Sequence, residues 1–183
     1  AAATRGRWPD RAIRGCAVAL AASPGFWIAI LLVAVFAVGL GWLPSCCAGP
    51  PGLTADETGW AERLRHMILP TLALTVVGVP PLILHTRQRL AGFLESPAAR
   101  HLAAHGAAPL ALAFGPGLRH ALGPAITVHL AGAGELFGGS VLAETVFAWP
   151  GLGAATVRAA TGGDAPLLMG VALFTLIFVF TGN

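Results

Sequence analysis

Four long apolar stretches divide this chain, and its charged residues gather almost entirely between them. The first runs from about Gly15 to Leu43 and carries no charge past Arg14; its densest part, "FWIAILLVAVFAVGLGWL", is long enough alone to cross roughly 30 Å of hydrocarbon. Trp27 and Trp42 mark its ends, as aromatics do at a membrane interface. Ser23-Pro24 is placed to kink its start. The second, about Met67 to Leu84, reads "MILPTLALTVVGVPPLIL", and Pro70, Pro80 and Pro81 make it an awkward helix. The third runs from about Ala121 to Ala143, "ALGPAITVHLAGAGELFGGSVLA", and the fourth starts near Pro166 with "PLLMGVALFTLIFVF". The pattern predicts an all-α integral membrane chain with about four transmembrane helices.

Composition agrees. Of 183 residues 56% are hydrophobic and 10% charged, with a mean hydropathy of +0.76, whereas a soluble domain carries about a quarter charged residues. The placement of arginine adds an orientation. Residues 1–14 hold Arg5, Arg7, Arg11 and Arg14 against Asp10, and 85–120 hold Arg87, Arg89, Arg100 and Arg119 against Glu95. Segment 44–66 sets Arg63 and Arg65 against Asp56, Glu57 and Glu62, and 144–165 sets Arg158 against Glu144 and Asp164. Positive and slightly negative segments alternate, so the positive-inside rule places the N-terminus and 85–120 in the cytoplasm and the other two outside. Basic residues placed in this way need no nucleic-acid partner. Three cysteines are too few for a disulfide framework. Cys46 and Cys47 are adjacent, a spacing that rarely bridges, and read as incidental thiols.

The cytoplasmic segment 85–120 is long for a loop and rich in alanine. "SPAARHLAAHGA" predicts a short helix, with Ser96 as N-cap, Pro97 at the first helical position and Gly106 as its stop. On the cytoplasmic face such a helix is a docking element.

From Pro97 to Val128 the residues "PAARHLAAHGAAPLALAFGPGLRHALGPAITV" resemble the cytoplasmic coupling loop of binding-protein-dependent ABC importer permeases, with Gly106 as the loop glycine and "LRHALGPAITV" leading into a membrane helix. "ETVFAWPGLG" at 144–153 is similar to a segment of the dipeptide, oligopeptide and nickel branch, as are "GRWPDR", "SPGFWIAILLVAVFAVGLGWLP" and "RHMILPTLAL". The likeness covers nearly the whole chain in the family's order. It departs at the coupling helix: where the family has an acidic residue and a tyrosine near the start, here stand Pro97 and Ala98, and the family's Arg-Ala-Lys-Gly end reads "AAHG".

The resemblance implies a type I ABC importer permease, one transmembrane domain over 1–183 with its coupling loop at 85–120. It implies a second permease subunit, two ATP-binding subunits that use ATP and Mg, and an extracytoplasmic substrate-binding protein. This chain would hold no cofactor, catalyse nothing itself, and sit as a multi-pass protein in the bacterial inner membrane, passing peptides or nickel complexes. The family's usual six helices imply two more ahead of Ala1 and a short end beyond Asn183. Arg100, His101, Ala104, His105 and Gly106 would contact the ATPase.

Other chemistries fit less well. His101 and His105 share a helix face, but two ligands do not make a zinc site and no glutamate follows His101; a polar coupling face is the plainer reading. Glu135 lies inside the third stretch, roughly 20 Å along a helix from Ala121. An ionised carboxylate there avoids lipid, which points to the translocation path or to a partner on a neighbouring helix. His129 reads as a packed polar residue. Gly132, Gly134, Gly138 and Gly139 suit close helix approach. Glu144 stands at the outer mouth, lining the path or holding the turn. An intramembrane enzyme built on Glu135 and a histidine lacks a nucleophile: Ser140 has Leu142, not glycine, two residues on. A channel-like subunit would not need the cytoplasmic helix.

Overall fold

A computed structural model describes residues 8–50, 52–53 and 57–182. Arg5, Arg7 and Asp56, which entered the charge alternation, lie outside them. The described residues are helical, with no strand among them. In chain order the helices are α1 (Trp8–Ala22), α2 (Gly25–Leu32), α3 (Trp60–Glu95), α4 (Pro97–Ala104), α5 (Pro109–Leu112), α6 (Leu118–Ala131), α7 (Ala133–Val146), α8 (Leu152–Gly162) and α9 (Ala165–Gly182). Two of them run on in the wider π form: α2 through Val33–Gly39 and α5 through Ala113–Gly117.

The apolar stretches and the helices do not coincide one for one. The first stretch is broken where Ser23-Pro24 predicted a kink, because Pro24 holds extended backbone (ψ 133°) ahead of α2. The second is longer than expected: α3 runs 36 residues straight through Pro70, Pro80 and Pro81. Each proline removes one N–H from the ladder, yet the helix continues past all three. The third is not one helix. Gly132, at φ −79° and ψ 8°, separates α6 from α7. Among the described residues one helix, α3, is able by length and composition to cross a membrane, or up to 3 if each helix pair interrupted by a short break is one span; α9 is apolar but falls just short.

The chain divides into two compact units, Ala1–Ala22 with Val79–Ala131, and Ser23–Gly78 with Gly132–Asn183. In the first, the C-terminal part of α3 joins α1, α4, α5 and α6. Here Asp10, 2% exposed, meets Arg87 in a fork: Nε donates to Oδ1 and Nη2 to Oδ2, both at 2.6 Å. A paired fork of this kind satisfies both charges where neither has much water. Gly117 sits so close to Leu90, Phe93 and the Leu112 carbonyl that a Cβ would lie 2.6 Å from Leu90 Cδ1 and 2.8 Å from that oxygen.

In the second unit, α2 with its π extension, the start of α3 and the end of α7 supply a core of Ala29, Leu69, Ala73, Ala143 and Phe147. Small residues set its spacing. A Cβ on Gly25 would meet Val77 at 3.6 Å, one on Gly139 would meet Leu74 at 3.7 Å, and one on Gly134 would meet Val179 at 3.9 Å. Of the α7 glycines, Gly134 faces α9 and Gly139 faces α3 at ordinary van der Waals distance, while Gly138 has no neighbour within 4 Å of an added Cβ. The outward faces stay apolar: Phe174, Leu176, Ile177, Phe178 and Phe180 of α9 are all exposed, a larger greasy surface than a water-soluble protein keeps.

Candidate functional site

The short helix of segment 85–120 forms as its local signals require. Ser96 holds extended backbone (φ −69°, ψ 156°), its Oγ accepts from the Ala99 N–H at 3.3 Å, and Pro97 opens the helix. At the other end Gly106 adopts φ +89°, a left-handed conformation that glycine enters without a Cβ penalty. Its N–H donates to the Ala103 carbonyl at 3.0 Å, and the Ala107 N–H reaches back to Leu102 at 3.2 Å. Those two bonds are the paired closure of a Schellman turn. Ala99 is buried, and α4 packs on α5.

Every residue expected to meet an ATPase is outward. Arg100, His101, Ala104, His105 and Gly106 are all exposed. The imidazoles of His101 and His105 stand 4.3 Å apart, centre to centre. His105 Nδ1 lies 2.9 Å from the His101 carbonyl; since a carbonyl only accepts, Nδ1 carries the proton of that bond. The result is one guanidinium and two neighbouring, mutually tilted imidazoles on a capped two-turn helix.

In the second unit "ETVFAWPGLG" is a reversal between α7 and α8, held from inside by one carboxylate. Glu144, in the last turn of α7, accepts from the Ala154 N–H at 2.8 Å. Ala154 is the third residue of α8, whose first-turn N–H groups have no partner within the helix. A carboxylate there gains both a hydrogen bond and the favourable end of the helix dipole. A Cβ on Gly151 would collide with that carboxylate, and one on Gly153 would collide with Val141 Cα at 2.6 Å. The two glycines of "PGLG" are therefore the space into which Glu144 reaches. Phe147 fills the core at 1% exposed, Ala148 turns the chain at φ +47°, and the Trp149 N–H closes back on the Glu144 carbonyl at 2.9 Å.

A second segment is tied to this reversal. The Cys47 N–H donates to the Phe147 carbonyl at 2.7 Å. His66 Nδ1 lies 2.8 Å from the Cys46 carbonyl and 3.2 Å from that of Cys47, and so donates to both. Arg65 Nη2 donates to the Trp42 carbonyl at 3.1 Å. Cys46 and Cys47 are not incidental thiols: they are bonded to each other, around a Cys47 at φ +72°. Adjacency argued against this pairing; the left-handed turn at Cys47 is a backbone state that residue type alone does not announce.

Glu135 lies elsewhere. It is exposed in the first turn of α7, and its N–H bonds the Gly132 carbonyl at 3.0 Å. The break at Gly132 thus places it at a helix start, where the dipole favours a carboxylate, rather than midway along one continuous helix. Glu144 and Glu135 are both on α7 but in different settings: the first is engaged in the turn, the second faces outward. His129 is half-buried in the last turn of α6.

Several structural residues escaped the sequence. Asp10 and Arg87 entered only a charge count, 77 positions apart. His66 attracted no notice among the residues of an outer loop. A signal existed for Asp10 alone, as the one carboxylate among the arginines of 1–14.

Comparison with known proteins covers the whole of this arrangement. Residues 1–183 match the family described as binding-protein-dependent transport system inner membrane component. The oligopeptide transport system permease protein AppB of Bacillus subtilis is 33% identical over 162 residues, which is 88% of this chain and 50% of that protein. The glutathione transport system permease protein GsiC of Escherichia coli K12 is 34% identical over 180 residues, 98% of this chain and 55% of that protein. The chain thus spans about half the length of the curated relatives it matches. Both are transport permeases by name, and the reading of an intramembrane enzyme finds no support in them.

Proposed function

This chain belongs to the binding-protein-dependent transport system inner membrane component family, and from that premise we propose that it is the permease subunit of an ABC importer for small peptides. The observation that supports this most is the match along all of 1–183, which takes in both the capped helix α4 and the Glu144 reversal. The peptide class is favoured by the relatives, one named for oligopeptides and one for glutathione, itself a short peptide.

The working unit pairs this chain with a second permease subunit in the bacterial inner membrane, crossing it several times. Two ATP-binding subunits, which hold ATP and Mg, dock on the coupling helices, and a substrate-binding protein delivers the peptide from outside. The geometry suits α4 to this role. A helix stapled at both ends transmits a push without unwinding, and Arg100, His101, Ala104, His105 and Gly106 are its exposed contact surface. Arg100 supplies the charge, the two exposed imidazoles supply hydrogen-bonding edges, and Ala104 and Gly106 allow close approach. Closure of the ATPase pair then moves α4 and shifts the helices between inward-open and outward-open packings. Glu135, exposed on α7, faces the path, and Glu144 holds the turn at its mouth.

Charge reversal at Arg100 tests this directly. Arg100→Glu in the assembled transporter is expected to lower peptide uptake by about tenfold or more, the effect of one charge-assisted contact, while the ATPases still hydrolyse ATP. Uptake equal to that of the unaltered transporter, at equal expression, would sink the assignment of α4.

A further inference from the structure

The first unit carries a second feature that neither the coupling surface nor the turn explains. Where α3 leaves its apolar run, an open cavity of about 790 Å³ is lined by His85, Gln88, Arg89, Phe93, Ser96 and His120. His85, Gln88 and Arg89 are three and four apart, and so share one face of α3. His120 comes from α6, its ring 5.4 Å from that of Phe93. Ser96 is the N-cap of α4; its Oγ accepts from Ala99 and keeps its own proton to donate. The positive end of the α4 dipole therefore opens on the cavity wall. No carboxylate is among the described residues that line it.

A guanidinium, an amide, two imidazoles, a hydroxyl and a helix N-terminus around one space are a set of donors with one net positive anchor. Arg87, two residues away, does not belong to it, since Asp10 takes its fork. The set suits an anion with several acceptor oxygens, and phosphoryl oxygens match a guanidinium best. Depth narrows the source. His85 is the first polar residue after the apolar run 67–84, so the cavity begins where a bilayer's hydrocarbon ends and its headgroups start.

We propose that this cavity binds a phosphoryl group, with Arg89 as the charged anchor and His85, Gln88, Ser96 and His120 as donors. Because Ser96 both lines the cavity and caps α4, an occupant there touches the coupling helix at its root. The proposal rests on the membrane placement of the chain and not on its cargo or on the ATPase contact.

Two sources present this chemistry, the headgroup of an anionic phospholipid and free phosphate. The test uses the full-length permease in its assembled transporter, held in nanodiscs of phosphatidylcholine alone or with phosphatidylglycerol. Native mass spectrometry reads the phosphatidylglycerol retained, and phosphorus resonance broadening reads inorganic phosphate added to the phosphatidylcholine discs. The paired substitution Arg89→Gln and His120→Gln is expected to lower retention by about tenfold or more, while Arg89→Lys keeps most of it. Retained lipid that the paired variant loses identifies a headgroup site; broadening by phosphate that the variant loses identifies a soluble-phosphate site. A hydrogen-exchange measurement on the unaltered protein needs no variant: amides of 85–96 gain protection when the bound species is present. Equal binding by variant and unaltered protein in both arms, or no protection of 85–96 by either species, overturns the proposal. Peptide uptake is not read in this experiment, so its outcome stands apart from that of the Arg100 test.

Discussion

A methyl group added at Gly153 would sit 2.6 Å from Val141 Cα and 3.0 Å from Glu144 Oε2. Backbone cannot retreat from such a contact as a flexible side chain can. Gly153→Ala is therefore expected to destabilise the protein by about 1–3 kcal/mol, the range for overpacking, read as a lower Tm of the detergent-purified permease. Gly138→Ala, with nothing within 4 Å of its added Cβ, is expected to be neutral or to stabilise by up to about 1 kcal/mol. Glu144→Ala is expected to cost about 1–2 kcal/mol through the lost cap, and Glu144→Gln less, since the amide oxygen still accepts. Equal Tm values for the Gly153 and Gly138 variants would show that the turn does not depend on the space Glu144 occupies. At this scale the sequence was legible wherever the cause was local. Ser96, Pro97 and Gly106 each act within four residues of their own position, and all three stand where the pattern put them. Glu144 was legible as a residue of interest but not as a cap, because its partner Ala154 is set by a reversal that no short-range rule specifies.

Between elements, α1 is joined to α3 by the Asp10–Arg87 fork. Removing one member of a buried pair strands the other, at a cost of about 3–5 kcal/mol. Asp10→Ala is expected to lose that much stability, and the double change Asp10→Leu with Arg87→Met to recover most of it; chemical or thermal denaturation of the purified permease reads both. A double variant as weak as the single one would mean that the charges themselves, not their mutual satisfaction, hold α1. The apolar stretches predicted where helices lie better than where they end. Hydropathy counts greasy residues and is blind to backbone state, so the third stretch read as one helix although Gly132 divides it, and the prolines of the second read as breaks although α3 runs through them. Composition had no means of showing which of these interruptions the surrounding side chains would bridge.

For the whole molecule, arginine placement and apolar surface lead to one expectation about sidedness. Segment 85–120 is cytoplasmic and 144–165 external if the charge alternation governs insertion. With the exposed thiol of Cys16 replaced by serine, a membrane-impermeant maleimide added to intact cells should label Thr161→Cys and leave Ala104→Cys untouched until the cells are opened. Cys46 and Cys47, bonded to each other, should stay unlabelled without a reductant. Labelling of both engineered positions from outside would refute the topology. The fold class was legible in two steps: 10% charged residues cannot clothe a water-facing surface, and the long continuous apolar stretches are what membrane helices need. The division into two units was not, because each unit draws residues from distant parts of the chain, and nothing periodic in the sequence marks where α3 passes from one to the other.

The carboxylate of Glu144 joins the end of one helix to the beginning of the next across a reversal of only a few residues. A joint that short and that full has no slack. Under strain on this unit α7 and α8 are therefore expected to move together as one stiff arm. A covalent tether between α7 and α8 is then expected to leave the Tm of the purified permease nearly unchanged, because the carboxylate already holds the two together.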